Sequence, residues 1–238
     1  MVLSKRLQCV ADKVKKGSKV ADIGTDHAYI PIYLIANNIC EYAIASDIKK
    51  GPINIAKANI MKHTMEKSIE TRLGKGLCTI KQNEVDTVII AGMGGELIRE
   101  ILKDSKEVCE TIDTFILQPM TAGEELREWL YNNRYRIDDE TLIKEDEKFY
   151  NIIVCSKGYD KVDKIYYDIG IKLIENNDPL LGQYLDKKIN ETMKIMQNLE
   201  GKETSGARVR LEECNNKLKQ YLDLKIICRG NPCGYHKI

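Results

Sequence analysis

Over about the first 130 residues, β-forming runs alternate with helical ones, and four of the β runs close on residues suited to meeting a ligand. Lys19 to Ile23 carries Asp22 near its end and runs into Gly24. Glu41 to Ser46 closes on Asp47, Val85 to Ala91 on Gly92-Met93-Gly94-Gly95, and Thr114 to Leu117 on Gln118-Pro119-Met120. Helical stretches separate them: 1–16, Ala28 to Asn37, one opened by Gly51-Pro52, Glu96 to Lys103, and Ala122 to Asn132. A further β run, Ile69 to Leu73, leads into Gly74-Lys75-Gly76, and Tyr135 to Glu145 with Phe149 to Ser156 can pair as a hairpin. Strict alternation predicts a doubly wound α/β sheet, because a parallel neighbour needs a crossover and a helix is the usual one. Such sheets bind ligands beyond the carboxyl ends of their strands. The unusual residues sit at those ends.

The chain has 238 residues, 43% of them hydrophobic and 31% charged, enough apolar surface for a real core. From about Tyr159 the pattern changes. Leu185, Ile189, Thr192, Met196 and Leu199 form one seam, and Leu211, Cys214, Leu218 and Tyr221 form a second. A polar, glycine-containing loop joins them, so an antiparallel helical hairpin is expected. The reading divides the chain into an α/β domain at 1–158 and a hairpin domain at 159–238.

The first helix carries charges throughout, unlike a signal peptide, and no run approaches the ~18 apolar residues of a membrane span. A cytoplasmic protein is expected, with no membrane partner. The eight cysteines are spread along the chain without a C-x-x-C pair, which suits reduced thiols used as small hydrophobes. Cys228, Cys233 and His236 match no finger spacing, and no metal is expected. Lys and Arg number 37 against 36 Asp and Glu, a net charge of +1, which excludes uniform charge-driven binding to DNA. Local basic surface remains: Lys5, Arg6, Lys13, Lys15 and Lys16 in the first helix, Lys49 and Lys50 after Asp47, and bases alternating with acids along the hairpin.

Asp22-Ile23-Gly24-Thr25-Asp26-His27 is a strand, a glycine turn and a helix start, the arrangement of a nucleotide-type site. G-x-G-x-x-G is absent. A pyrophosphate would face Asp22 and Asp26 with no second glycine to admit it, so NAD fits poorly. S-adenosyl-L-methionine fits better, since it has no phosphate and carries an ammonium and a sulfonium that carboxylates can face. The plain alternative is a capped turn with Asp26 as the helix N-cap. Asp47, at the end of the second strand, is placed to accept from both hydroxyls of a ribose, or else caps the turn before Gly51. Gln118 can read a base edge through its donor and acceptor, or simply precede a strand-stopping proline. His27 is a candidate base or a structural turn histidine. The Asn/Asp-Pro-Pro-Tyr/Phe motif of adenine-N6 methyltransferases is missing after the fourth strand.

Asp22-Ile-Gly-Thr-Asp-His-Ala-Tyr-Ile-Pro31, Ala45-Ser-Asp47, Ile90-Ala-Gly-Met-Gly-Gly95 and Leu117-Gln-Pro-Met120 occur in one order on one sheet. Together they resemble the tRNA adenine-N1 methyltransferases that modify adenine 22, the TrmK family. The resemblance extends to the helical hairpin. It implies a Rossmann-like domain that binds S-adenosyl-L-methionine and acts on tRNA. It places Asp22, Gly24, Thr25 and Asp26 around the methionine end, Asp47 and Ile48 at the ribose, and Gly76, Leu77, Ala91, Gly92 and Met93 at the adenine and sulfonium. Asp26 becomes the first candidate for stabilising charge on the methylated base, with His27 and Gln118 positioning it. One departure stands out: the family pattern Gly-Asp-Gly-Leu is Gly74-Lys75-Gly76-Leu77 here, and lysine cannot accept a hydrogen bond. Competing readings are a methyltransferase of another RNA or a small molecule, and a non-catalytic RNA-binding relative, which Lys75 favours. The oligomeric state is left open, and a monomer is compatible with the sequence.

Overall fold

The computed structural model describes residues 2–202 and 204–230. The chain divides into two compact units, with the break between Lys161 and Val162.

The first unit holds one seven-stranded sheet in the order β3-β2-β1-β4-β5-β7-β6. Its strands are β1 (Val20–Ile23), β2 (Ala43–Asp47), β3 (Ile69–Leu73), β4 (Thr87–Met93), β5 (Thr114–Pro119), β6 (Tyr135–Glu145) and β7 (Lys148–Lys157). The first five run parallel. The hairpin β6–β7 closes the sheet, with β7 antiparallel to β5. The helices between are α1 (Lys5–Asp12), α2 (Tyr29–Ala36), α3 (Lys50–Lys62), α4 (Gly95–Asp104), the short α5 (Lys106–Cys109) and α6 (Gly123–Asn132). This is the expected Rossmann-like, doubly wound α/β architecture.

Both faces of the sheet are apolar because both are covered, so β1 is buried along its whole length. Successive side chains alternate between faces. Val20, Ala45, Ile89, Ile116 and Ile152 join one core with Val10 and Ala11 of α1, Ile30 and Leu34 of α2, and Ala56 and Ile60 of α3. Ile90, Leu117 and Ile153 take the opposite parity, and Ile98, Leu102, Leu126 and Leu130 of α4 and α6 are buried with them. A buried ion pair, Arg127 Nε to Glu140 Oε1 at 2.7 Å, ties α6 to β6. The strand order reverses between β1 and β4, so a crevice opens there beyond the strand ends.

The second unit contains α7 (Ile165–Ile169), α8 (Ile171–Glu175), α9 (Leu181–Leu199) and α10 (Ser205–Gly230). The expected seams fall on α9 and α10, where Leu185, Ile189, Thr192, Cys214 and Tyr221 are buried. Lys225, far along α10, reaches Asp186 at the start of α9, so the two helices run antiparallel. Asp168 is buried in α7 and receives Lys188, Lys217 and the Tyr221 hydroxyl. Those cations hold its carboxyl below the usual range against the opposing effect of burial.

Cys40, Cys109, Cys155 and Cys214 are buried, as small hydrophobes are. Cys233 and His236 lie outside the described residues. Among the described residues no cluster of three or more His, Cys, Asp or Glu is arranged to hold a metal, and no helix is long and apolar enough to cross a membrane.

Candidate active site

The turn after β1 is built by its backbone. The N–H groups of Gly24 and Thr25 both donate to the Ser46 carbonyl of β2, each at 2.8 Å. Gly24 has φ +74°, and a Cβ there would lie 2.0 Å from the Met93 methyl carbon. Only glycine satisfies both the conformation and the approach. Asp22, just below, is 5% exposed. Burial pushes its pKa up to about 6; the Thr25 hydroxyl, donating at 2.6 Å, opposes that rise, and the charges of Asp26 and Asp47 add to it.

His27 and Ala28 follow, with φ of 61° and 58°. Two successive non-glycine residues in the left-handed region cost roughly 1–3 kcal/mol each, so the surroundings must hold them. Asn59 of α3 does part of this by donating to the His27 carbonyl at 3.0 Å. The His27 ring lies between two partners: Nε2 is 3.2 Å from Asp26 Oδ1, and Nδ1 is 3.0 Å from the Tyr29 hydroxyl. Helix α2 begins only after this turn, with Ala28 at its N-cap position and no side-chain cap. Asp26 is therefore not the N-cap that the plain alternative requires, and its side chain is 80% exposed.

Asp47 braces the turn after β2 at the edge of the cleft: its Oδ1 accepts from the Lys49 N–H at 2.6 Å, and the residue also lines the cleft. Ile48 beside it is exposed. After β3, Lys75 extends to Asp104 at 2.9 Å and adds no cation to the cleft wall. Gly76 has φ +52° and packs by Ile101, and Leu77 is fully buried beneath the loop.

β4 carries a bulge between Ala91 and Met93 that turns Gly92 out of register with β5. Gln118 of β5 holds this bulge. Its Oε1 accepts from the Gly92 N–H at 3.1 Å and from Arg6 Nη1 at 2.5 Å, while its Nε2 donates to the Pro119 carbonyl at 3.0 Å. Fully buried and bonded at both ends, Gln118 is a brace behind the wall, not an open amide facing the cleft.

These elements enclose a cavity of about 340 Å³. From the strand ends it is lined by Asp22, Gly24, Asp26, Asp47, Ala91, Gly92 and Met93, all expected from the sequence. Thr25, His27, Ile48, Gly76, Leu77 and Gln118 are not on its wall. Thr25, His27 and Gln118 bond to residues that are. Arg6, Leu7, Tyr29 and Ile30, which were not foreseen as cleft residues, complete the lining together with Met120 of the strand-closing segment noted above. Arg6 read only as one base among several on α1.

The donor set suits S-adenosyl-L-methionine. Three carboxylates converge on one cleft, one of them buried and short of a cation. Gly24 holds a left-handed conformation at the cleft wall, and no glycine-rich phosphate loop is present.

Residues 3–153 match the family model described as a methyltransferase domain. The tRNA (adenine(22)-N(1))-methyltransferase of Bacillus subtilis is 41% identical over 188 residues, covering 79% of this chain and 76% of that protein. The crystal structure of the B. subtilis m1A22 tRNA methyltransferase TrmK superposes with a TM-score of 0.87 at 32% identity, covering 94% of this chain and 99% of the other. Mycoplasma capricolum TrmK, in complex with the cofactor product S-adenosyl-homocysteine, gives 0.81 at 34% identity over 94% and 99%. With a sheet and cleft of the right form and relatives this similar across most of both chains, the protein belongs to the tRNA (adenine(22)-N(1))-methyltransferase family.

Proposed function

We propose that this protein transfers a methyl group from S-adenosyl-L-methionine to N1 of adenine 22 in tRNA. The observation that carries the reading is the cleft at the β1, β2 and β4 ends, where Asp22, Asp26 and Asp47 surround a space that admits a cationic ligand and disfavours a pyrophosphate. The cofactor supplies a methyl group already activated on a sulfonium. What the chain adds is alignment of the acceptor in line with the breaking bond.

In this reading Asp47 accepts from the ribose hydroxyls, with Ile48 beside it. Asp22, Gly24, Thr25 and Asp26 surround the methionine end. Gly76, Leu77, Ala91, Gly92 and Met93 shape the space for the adenine and the reacting centre. Thr25 and Gln118 act from behind, Thr25 through Asp22 and Gln118 through Gly92 and Arg6. Asp26 stabilises the positive charge that N1 methylation creates on the base, and His27 orients Asp26. N1 lies on the pairing edge, so the target must be exposed before it enters. We assign the chemistry to residues 1–158 and the helical appendage to residues 159–238. The partner is tRNA, and the setting is the cytoplasm.

The test is methyl transfer from labelled S-adenosyl-L-methionine to unmodified tRNA. Label is expected with adenine at position 22 and absent when that base is substituted. Label on the substituted tRNA would redirect the reading to another nucleotide.

A further inference from the structure

Arg6 is the one base among the residues that line the cleft, and three contacts fix where it stands. Its main-chain N–H, in the first turn of α1, donates to Glu145 Oε1 at 2.7 Å. Its Nη1 donates to Gln118 Oε1 at 2.5 Å, and the guanidinium carbon lies 5.5 Å from the centre of the Tyr150 ring. The direction of the Gln118 contact is settled from both sides. A guanidinium only donates, and the Gly92 N–H and the Pro119 carbonyl decide which end of the Gln118 amide is oxygen. Glu145 is used on the main chain, and among the described residues no carboxylate pairs with the Arg6 guanidinium. The partner at Nη1 is a neutral amide, so the positive charge at the cleft wall is held in place but not neutralised.

We propose that Arg6 is a specificity-determining residue that takes the carboxylate of the cofactor, so that the cleft selects S-adenosyl-L-methionine over its decarboxylated analogue. This rests on the function proposed above. The cofactor carries one anionic group, and Asp22, Asp26 and Asp47 would repel it from the same cleft. The strand order β2-β1-β4-β5 lays out in sequence Asp47, then Asp22 and Gly24, then Gly92, then Gln118 with Arg6. Gln118 is therefore three strand spacings from Asp47, roughly 14 Å. With the ribose at Asp47, the amino-acid end extends towards β1, β4 and β5, where Asp22 and Asp26 face the ammonium. The carboxylate shares a carbon with that ammonium, and Arg6 is the cation on the wall of the same cavity. Its Nη1 stands 3.8 Å from where a Cβ on Gly92 would lie, which seats the fork at the strand ends with the cofactor. A planar guanidinium matches both oxygens of a carboxylate, as a lysine ammonium does not.

The experiment measures dissociation constants by calorimetry for S-adenosyl-L-methionine and for decarboxylated S-adenosylmethionine, which keeps the ribose, sulfonium and ammonium. Wild type is expected to bind the first about tenfold more tightly or better. Arg6→Met, similar in length and uncharged, should lose about tenfold for S-adenosyl-L-methionine, change little for the decarboxylated ligand, and bring the two affinities together. Retained binding of the decarboxylated ligand also shows that the variant is folded. Arg6→Lys keeps the charge without the fork and should fall between the two. Equal losses for both ligands in Arg6→Met, with its circular dichroism unchanged, would mean that Arg6 only seats Gln118 and Gly92, and would overturn the proposal. If both affinities hold in Arg6→Met while KM for tRNA rises, the anion at Arg6 is an RNA phosphate and the proposal fails. Equal affinity of wild type for the two ligands overturns it without any variant. If wild type binds no S-adenosyl-L-methionine at all, the proposed function itself fails. Binding with a preference that Arg6→Met leaves unaltered defeats only the role of Arg6.

Discussion

Asp22 lies beneath the cleft, where the Thr25 hydroxyl donates to it and burial raises its pKa. Its folded pKa is raised, so protons bind the native state more tightly than the unfolded one. The resulting penalty is absent below about pH 4, grows as pH rises towards 6, and is complete above it. A rise from 3.8 to about 6 corresponds to roughly 3 kcal/mol. Asp22→Asn should therefore raise stability in urea melts at pH 7 by up to about that amount, with the gain vanishing near pH 4, while weakening cofactor binding. In wild type, affinity for the cationic cofactor should fall as pH drops below about 6, which calorimetry across pH 5–8 would register. Gly24→Ala strains a backbone held at φ +74° and pushes the Met93 side chain aside within the cleft, so it should cost about 1–3 kcal/mol in stability and weaken cofactor binding measured by calorimetry. The strand-end residues were legible because a carboxylate or glycine at such a position has few other uses. Arg6 and Tyr29 were not. A helix period reports which side chains face the core but not which crevice the helix end overhangs. Nor does composition show that Gln118 is consumed by Arg6 and Gly92.

At the scale of elements, the sheet and its major helices follow from period and punctuation, and their ends shift by a few residues. α1 is shorter than its pattern suggests, starting at Lys5 after the N-cap Ser4, whose hydroxyl accepts from the Leu7 N–H, and ending at Asp12. The helices of four or five residues, α5, α7 and α8, left no readable period, since they complete little more than one turn. The β6–β7 hairpin was legible as two β runs, but its docking depends on α6. The Arg127–Glu140 pair makes that attachment, with side chains 3% and 0% exposed. Glu140→Gln removes the buried carboxylate that Arg127 Nε meets at 2.7 Å and should cost about 3–5 kcal/mol in equilibrium unfolding. A loss below 1 kcal/mol would mean that apolar packing alone seats the hairpin.

For the whole molecule, the near-zero net charge conceals a separation of sign. Asp22, Asp26 and Asp47 line the cleft beside one base, Arg6, whereas Lys5, Lys15, Lys16, Lys49 and Lys50 are exposed on the first unit. Lys13 is drawn off to Asp139 at 2.7 Å, and Lys188, Lys217 and Lys225 bind carboxylates within the second unit. Fewer bases are left for phosphate than the sequence count suggests. Affinity for tRNA should fall steeply with salt, and Lys49→Ala with Lys50→Ala should lower the logarithmic slope by about one to two. A slope unchanged in that double variant would place the phosphate contacts elsewhere.

The strand order also sets a timetable for synthesis. β6 leaves the ribosome before β7, yet its sheet neighbour is β7, and β7 alone joins it to β5. From the emergence of Pro119 until Lys157 is free, the growing sheet carries the bare edge of β5, and β6 has nowhere to add. The hairpin must form off the sheet and dock as a unit. Nascent chains halted after Glu145 should expose a sticky β edge and engage chaperones, and chains extended past Lys157 should not.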